Sequence, residues 1–226
     1  MDSNIPDMGI YMYVGKIGSG ASGDVYKVLN KDNGKYYALK LFKDHVPKDE
    51  IEREIKCLNA VKSICGNGKV YCFMEDVNVN IGGKDHIGII TEFLDGYVSM
   101  FTYVTPKTPI ETIEKIRDRC IDGFVELANL GIAQNDPNPM NIMIRDNNGE
   151  IDVKIIDFGK CTESVDDLHD TLTQMIMMFA MTLYDFGHEA NSWFFGPFID
   201  LMEYMQMPET EIERILWRID HIEDEY

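Results

Sequence analysis

Apolar and polar positions change rhythm part-way along the chain, and the change separates a strand-rich stretch from a helix-rich one. From Tyr11 to Ile17 and from Asp24 to Leu29 the pattern is that of extended chain, with a glycine-rich run between the two segments. Lys35 to Phe42 follows Asn33-Gly34, a dipeptide that tolerates positive φ and predicts a tight hairpin. The period then lengthens: Ile51, Ile55 and Leu58 share one face of a helix predicted over 48–62. Val70 to Val77 and His86 to Phe93 return to strand character, with Gly82-Gly83-Lys84-Asp85 turning between them. Five strands and one inserted helix account for residues 10–94.

Beyond a boundary near Leu94 to Gly96 the helical period dominates. Thr108-Pro109-Ile110-Glu111 reads as a capping box with proline at the first helical position. Ile113, Ile116, Cys120, Phe124 and Leu127 then recur at helical spacing up to Gly131, a C-terminal stop. Two short strands, Ile142 to Arg145 and Val153 to Ile156, are split by Asn147-Asn148-Gly149. A buried helix is predicted over 168–184, and weaker ones over 198–206 and 210–222. The class is α+β, in one domain spanning 1–226, with a smaller part at 10–94 and a larger one at 95–226.

Composition narrows the function. The 226 residues carry 39 acidic against 21 basic side chains, a formal net charge of −18. A nucleic-acid binder needs a basic footprint, and so does a protein that docks on an anionic membrane face. Neither is expected. Cys57, Cys65, Cys72, Cys120 and Cys161 are odd in number and lack Cys-x-x-Cys spacing, which predicts free thiols in a reducing compartment. The start, Met1-Asp2-Ser3-Asn4, has no basic segment leading into an apolar one, so no signal peptide is expected. The most apolar run, Met175 to Leu183, is far shorter than the ~20 residues of a membrane span. A cytoplasmic protein is expected.

Five segments carry chemistry. Gly18-Ser19-Gly20-Ala21-Ser22-Gly23-Asp24-Val25 is a Gly-x-Gly-x-x-Gly-x-Val run between two strands, where glycine lets backbone N–H groups approach phosphate oxygens. Alone it could be a simple turn. Lys40, between Leu39 and Leu41 on the third strand, should point away from solvent. Glu54 lies inside the apolar stripe of the first helix, three from Ile51 and four from Leu58, and an acid there needs a cation. Lys40 is the obvious one, with Glu50 as the rival acid. Gln134-Asn135-Asp136-Pro137-Asn138-Pro139-Met140-Asn141 offers Asp136 to orient an attacking hydroxyl and Asn141 to ligate magnesium. Asp157-Phe158-Gly159 closes an apolar strand with a second magnesium ligand, Asp157. Either of the last two segments alone could be a turn, yet all of them in this order match what phosphoryl transfer requires.

Together they resemble the eukaryotic-type protein kinase superfamily, over Val14 to about Tyr184. The resemblance implies a bilobal fold, a five-stranded N-lobe with one helix and a shortened helical C-lobe, with ATP and Mg2+ in the cleft. It implies that Gly18, Ser19, Gly20, Gly23 and Lys40 face the phosphates and that Thr91 is the gatekeeper. The backbone of Glu92 and Leu94 would bond adenine, with Val25 and Ala38 over one face of the base and Met143 under the other. Lys40, Glu54 and Asp136 would be the catalytic group, Asn141 and Asp157 the metal ligands.

Departures qualify the resemblance. His-Arg-Asp is Gln134-Asn135-Asp136 here, the lysine usual two residues past the catalytic aspartate is Asn138, and no Ala-Pro-Glu follows Asp157-Phe158-Gly159. Asp167, with Asp166 as rival, would brace the catalytic loop. Compact kinases of this form are similar to those of large DNA viruses and to bacterial effector kinases, for which the site of action would be host cytoplasm. The expected activity is transfer of the ATP γ-phosphate to serine or threonine of a protein, with a partner able to supply the shortened docking surface. The alternatives are a small-molecule phosphotransferase of the aminoglycoside or choline kinase type and a non-catalytic pseudokinase.

Overall fold

The computed structural model describes residues 9–81, 83–188 and 192–222. They gather into two compact units, one of residues up to Asn67 with Tyr71–Asp95, the other of Gly68–Val70 with residues from Gly96 onward.

The first unit is an antiparallel sheet with one helix. Strands β1 (Tyr11–Ser19), β2 (Gly23–Asn30), β3 (Tyr36–Phe42), β4 (Phe73–Ile81) and β5 (Lys84–Glu92) lie in the order β1-β2-β3-β5-β4, and helix α1 (Lys48–Val61) follows β3. Alternation sorts the side chains between two faces. Tyr11, Val28, Leu39, Leu41, Val79 and Ile90 form a buried cluster on one face. Opposed residues in antiparallel strands point the same way, so the register Val25↔Lys40, Lys40↔Ile89 and Ala38↔Thr91 sets those five on the other face. Helix α1 buries Ile51, Glu54, Cys57, Leu58 and Val61, a stripe at spacings of three and four.

Two turns differ from expectation. Only Gly34 of the Asn33-Gly34 pair has positive φ, 68°. The Asn30 side chain accepts from the N–H groups of Asp32 and Asn33 at 2.9 and 3.2 Å, building a five-residue connection instead of a two-residue hairpin. The β4–β5 turn is shorter than expected, because the strands run on to Ile81 and restart at Lys84.

The second unit packs helices on a small sheet. Its elements are β6 (Val98–Ser99), α2 (Met100–Tyr103), α3 (Ile110–Asn129), β7 (Ile142–Asn147), β8 (Glu150–Ile155), α4 (Val165–Asp185), α5 (Ser192–Tyr204) and α6 (Glu209–Asp220). Positive φ at Asn148 and Gly149 closes the β7–β8 hairpin in two residues. The core draws on α3 (Ile113, Ile116), α4 (Leu172, Ile176, Phe179), α5 (Phe194, Phe198) and α6 (Ile215, Ile219). Met175, Met177 and Met178 are buried in it and Met181 packs against it, the filler role their helical spacing suggests. Gly131, at φ 69°, ends α3 as expected.

The capping box of α3 does not form. No side chain caps the helix, and Thr108 Oγ1 instead accepts from Thr105 N at 2.9 Å within the preceding turn. Arg117 is a buried cation on the apolar stripe of α3, 5% exposed. Its guanidinium donates to Phe194 O at 2.5 Å and to Asp118 at 2.8 Å, and it stacks 4.7 Å from the Phe194 ring. Cys65, Cys72 and Cys120 carry free thiols. Cys57 and Cys161 do not, against the expectation of five. Among the described residues no helix is long and apolar enough to cross a membrane.

Candidate active site

In the first unit the glycine-rich run joins β1 to β2. Gly20 N donates to Gly23 O at 2.8 Å, and Lys43, just past β3, ties the run down through N to Ser22 O (3.0 Å) and Nζ to Gly20 O (2.5 Å). Ser19 Oγ donates to Asp24 at 2.6 Å and Lys16 Nζ lies 3.0 Å from the same oxygen. The Ser19 hydrogen bond, with help from Lys16, holds the Asp24 carboxyl below the usual range. The three glycines are not equivalent. A Cβ at Gly23 would lie 2.7 Å from Leu41 O, so packing against β3 excludes any larger residue. A Cβ at Gly18 or Gly20 would meet nothing nearer than 3.7 Å and neither has positive φ. Folding therefore does not demand glycine at 18 or 20. Close approach of a ligand would.

Lys40 and Glu54 meet. Lys40 Nζ is 2.7 and 2.9 Å from the two carboxylate oxygens of Glu54, which is 2% exposed on α1, whereas Glu50 is exposed. Val25 and Ala38 stand half-buried on the sheet face that carries Lys40, and Thr91 is buried there. Glu92 closes β5, its N–H donating to Cys72 O at 2.8 Å and its side chain accepting from Cys72 N at 2.7 Å. Leu94, two residues on, is half-buried.

In the second unit Asp136, Asn141 and Asp157 occur in a dense polar loop cluster. Asn141 Nδ2 donates to Asp136 O (3.0 Å) and to Asp136 Oδ2 (3.1 Å). Gln134 Nε2 donates to the carbonyls of Ile156 (3.1 Å) and Asp157 (2.8 Å), stitching the loop before Asp136 to the segment after β8. Asn135 and Asp157 both hold φ at 61°, a conformation uncommon for side chains with a Cβ. Asp157 Oδ1 accepts from Gly159 N at 3.1 Å, which helps to fix that turn. Met143 is half-buried in β7.

The brace of this loop is not the expected aspartate. Asn135 N donates to Thr171 Oγ1 at 3.1 Å, and Thr171 returns a hydrogen bond to Asn135 Oδ1 at 2.8 Å. Asp167 acts at one remove: it accepts from Thr162, whose Oγ1 also accepts from Asn135 Nδ2 at 2.8 Å. Asp166 is exposed. Thr171 was legible as a polar residue on the apolar face of α4, one turn past Leu168. Lys160 was not legible. Its ammonium lies 3.3 Å from Asp136 Oδ1, and no periodicity reports on a contact set by the path of the intervening backbone.

The donors fit a hard divalent cation. With Asn141 Nδ2 committed to Asp136, its amide oxygen is left to face a ligand, and Asp157 adds carboxylate oxygens. Oxygen-only sets suit magnesium, which takes one or two carboxylates and completes its shell with water and phosphate. Among the described residues there is no group of three or more His, Cys, Asp or Glu that could hold a metal ion.

The protein kinase domain family matches residues 11–184 of this chain. The chain belongs to the protein kinase family. It is 28% identical over 162 residues to a probable dual specificity protein kinase YAK1 homolog of Encephalitozoon cuniculi, covering 70% of this chain and 38% of that protein. It is 30% identical over 167 residues to the probable serine/threonine-protein kinase fhkB of Dictyostelium discoideum, covering 66% and 13%. It is 25% identical over 169 residues to the serine/threonine-protein kinase sgk-1 of Caenorhabditis elegans, covering 71% and 34%. The chain thus spans well under half the length of these relatives. The α+β fold, with its five-stranded sheet and helical second unit, is that of the family.

Proposed function

We propose that this kinase domain transfers the γ-phosphate of ATP, bound with Mg2+, to a serine or threonine of a protein substrate, and that its two units are the lobes of one domain. The observation that carries the reading is the paired Asp136 and Asn141, with Oδ2 of the aspartate 3.1 Å from the amide nitrogen. That pairing turns Asp136 into a fixed proton acceptor and leaves the Asn141 oxygen for a cation, so one hydrogen bond serves both tasks.

Asp136 orients the acceptor hydroxyl and takes its proton as the oxygen attacks phosphorus. Asn141 and Asp157 hold the metal. The ion, when bound, offsets negative charge on the phosphate oxygens. Lys40, kept extended by Glu54, presents its ammonium to the phosphates, and the N–H groups around Gly18, Ser19 and Gly20 add neutral donors. The backbone at Glu92 and Leu94 reads adenine, with Val25, Ala38 and Met143 against the ring. The names of two of these relatives speak for serine or threonine on a protein, and the overall charge of −18 speaks for a basic partner or substrate.

Purified protein is offered labelled ATP, magnesium, generic protein substrates and a small-molecule panel, with Asp157→Ala as control. Label on serine or threonine that disappears with the variant is the expected result. Label on a small molecule alone, or equal label with the variant, would overturn the reading.

A further inference from the structure

Among the described residues, Lys160 is the cation paired with the aspartate proposed to carry out the chemistry, and it stands where the sequence offers no expectation of one. Its Nζ is 3.3 Å from Asp136 Oδ1. Asn141 takes Oδ2 of the same carboxylate at 3.1 Å, so each oxygen has its own partner. The Lys160 backbone is fixed. Its carbonyl accepts from Asn135 Nδ2 at 3.2 Å, Gly159 N is bonded to Asp157, and the next residue but one pairs with Ala133 through Thr162 N to Ala133 O at 3.0 Å. The side chain is 67% exposed on this fixed base, against 30% for Asp136.

An exposed ion pair does little for stability, about 0–1 kcal/mol. A lysine that serves only the fold gains little from standing here, while exposed carboxylates at Glu163, Asp166 and Asp170 lie close by in sequence. Its reach suits another task. An acceptor hydroxyl must come within about 3 Å of Asp136, and the phosphorus it attacks within about 3–3.5 Å of that oxygen. An ammonium bonded to that same carboxylate would then stand close to the oxygens of the transferring group. Asn138 carries no charge to this place. Its amide builds the loop instead, accepting from Met140 N at 2.9 Å and donating to Asp136 O at 3.3 Å.

We infer that Lys160, on the segment after β8, supplies the cation that steadies the transferring phosphoryl group beside Asp136, a statement that rests on the phosphotransfer reading above. In the step the acceptor O–H bond breaks, its proton passing to Asp136, while the acceptor oxygen bonds to phosphorus. The bond from phosphorus to the bridging oxygen breaks, and ADP leaves with that electron pair. Lys160 keeps all three protons and offsets charge on the equatorial oxygens.

The test compares wild type, Lys160→Met and Lys160→Arg. Its readouts are turnover, affinity for magnesium-ADP alone, affinity for magnesium-ADP with aluminium fluoride as a mimic of the transferring group, and thermal midpoint. Removing one charge stabiliser of this kind costs on the order of 10²-fold in turnover. Lys160→Met should lose ~30-fold or more in turnover and most of the extra affinity conferred by fluoride, at unchanged ADP affinity and thermal midpoint. Lys160→Arg should recover to within ~5-fold of wild type. Lys160→Met with turnover within ~3-fold of wild type and an unaltered fluoride effect would overturn the inference while leaving the phosphotransfer reading intact. Wild-type protein that transfers nothing would overturn both.

Discussion

Single residues divide into those the fold requires and those only chemistry requires. Gly23 belongs to the first kind, because a Cβ would press on Leu41 O at 2.7 Å. Gly23→Ala should cost about 1–3 kcal/mol in urea unfolding. Gly20 belongs to the second, so Gly20→Ala should unfold like wild type yet raise KM for ATP; an unchanged KM would remove Gly20 from the phosphate contacts. Asp136→Ala should lower kcat by at least ~10²-fold and leave nucleotide affinity intact if, as proposed, that side chain serves the reaction rather than binding. The Lys40–Glu54 pair was legible because an acid within an apolar stripe demands a cation. The pairing of Lys160 with Asp136 was not, because it follows from φ 61° at Asp157 and the turn that this residue begins.

At the scale of elements, strands and long helices were readable and short pieces were not. A period needs several residues to declare itself, so β6 and α2, of two and four residues, left no trace beside the 20-residue α3. Caps and turns failed where side chains found other partners, as Thr108 and Asn30 did. The segment between Asp157-Phe158-Gly159 and α4 carries its own prediction. Kinase activation loops can be ordered by a phosphate paired to an arginine; here the uncharged Asn135 side chain holds the segment through Lys160 O and Thr162 Oγ1. Ser164 caps α4 by accepting from Asp167 N, and Thr171 is 3% exposed. These hydroxyls are structural, so phosphatase-treated protein should keep its activity. Thr171→Ala should lose about 1–2 kcal/mol of stability along with turnover. A loss of activity beyond ~10-fold on phosphatase treatment would mean that the segment is a switch.

For the molecule as a whole, the excess of acidic groups sets the response to pH. The Asp24, Asp44 and Asp146 carboxyls sit below their ordinary 3.8, held there chiefly by Ser19, by Lys84 and by the Gly149 N–H respectively. A lowered carboxyl stabilises the folded state above 3.8 and stops doing so as pH falls through the folded value. Tyr103 has the opposite sign. Burial and its hydrogen bond to Asp146 push it from 10.0 to about 12, so its contribution is complete below pH 10 and lost between there and about 12. Urea midpoints should therefore fall at both extremes. Asp146→Asn should flatten both limbs, and a variant with unchanged limbs would contradict the linkage.

Phosphotransfer, as proposed, runs through Asp136 and the neighbours Asn141 and Asp157 that would hold the metal. The most direct measurement is single-turnover transfer from labelled ATP with magnesium to protein hydroxyls, for wild type, Asp136→Ala and Asp157→Ala side by side. The account predicts label on serine or threonine with wild type and at least ~10²-fold slower transfer with either variant. Equal rates for Asp136→Ala and wild type would contradict it.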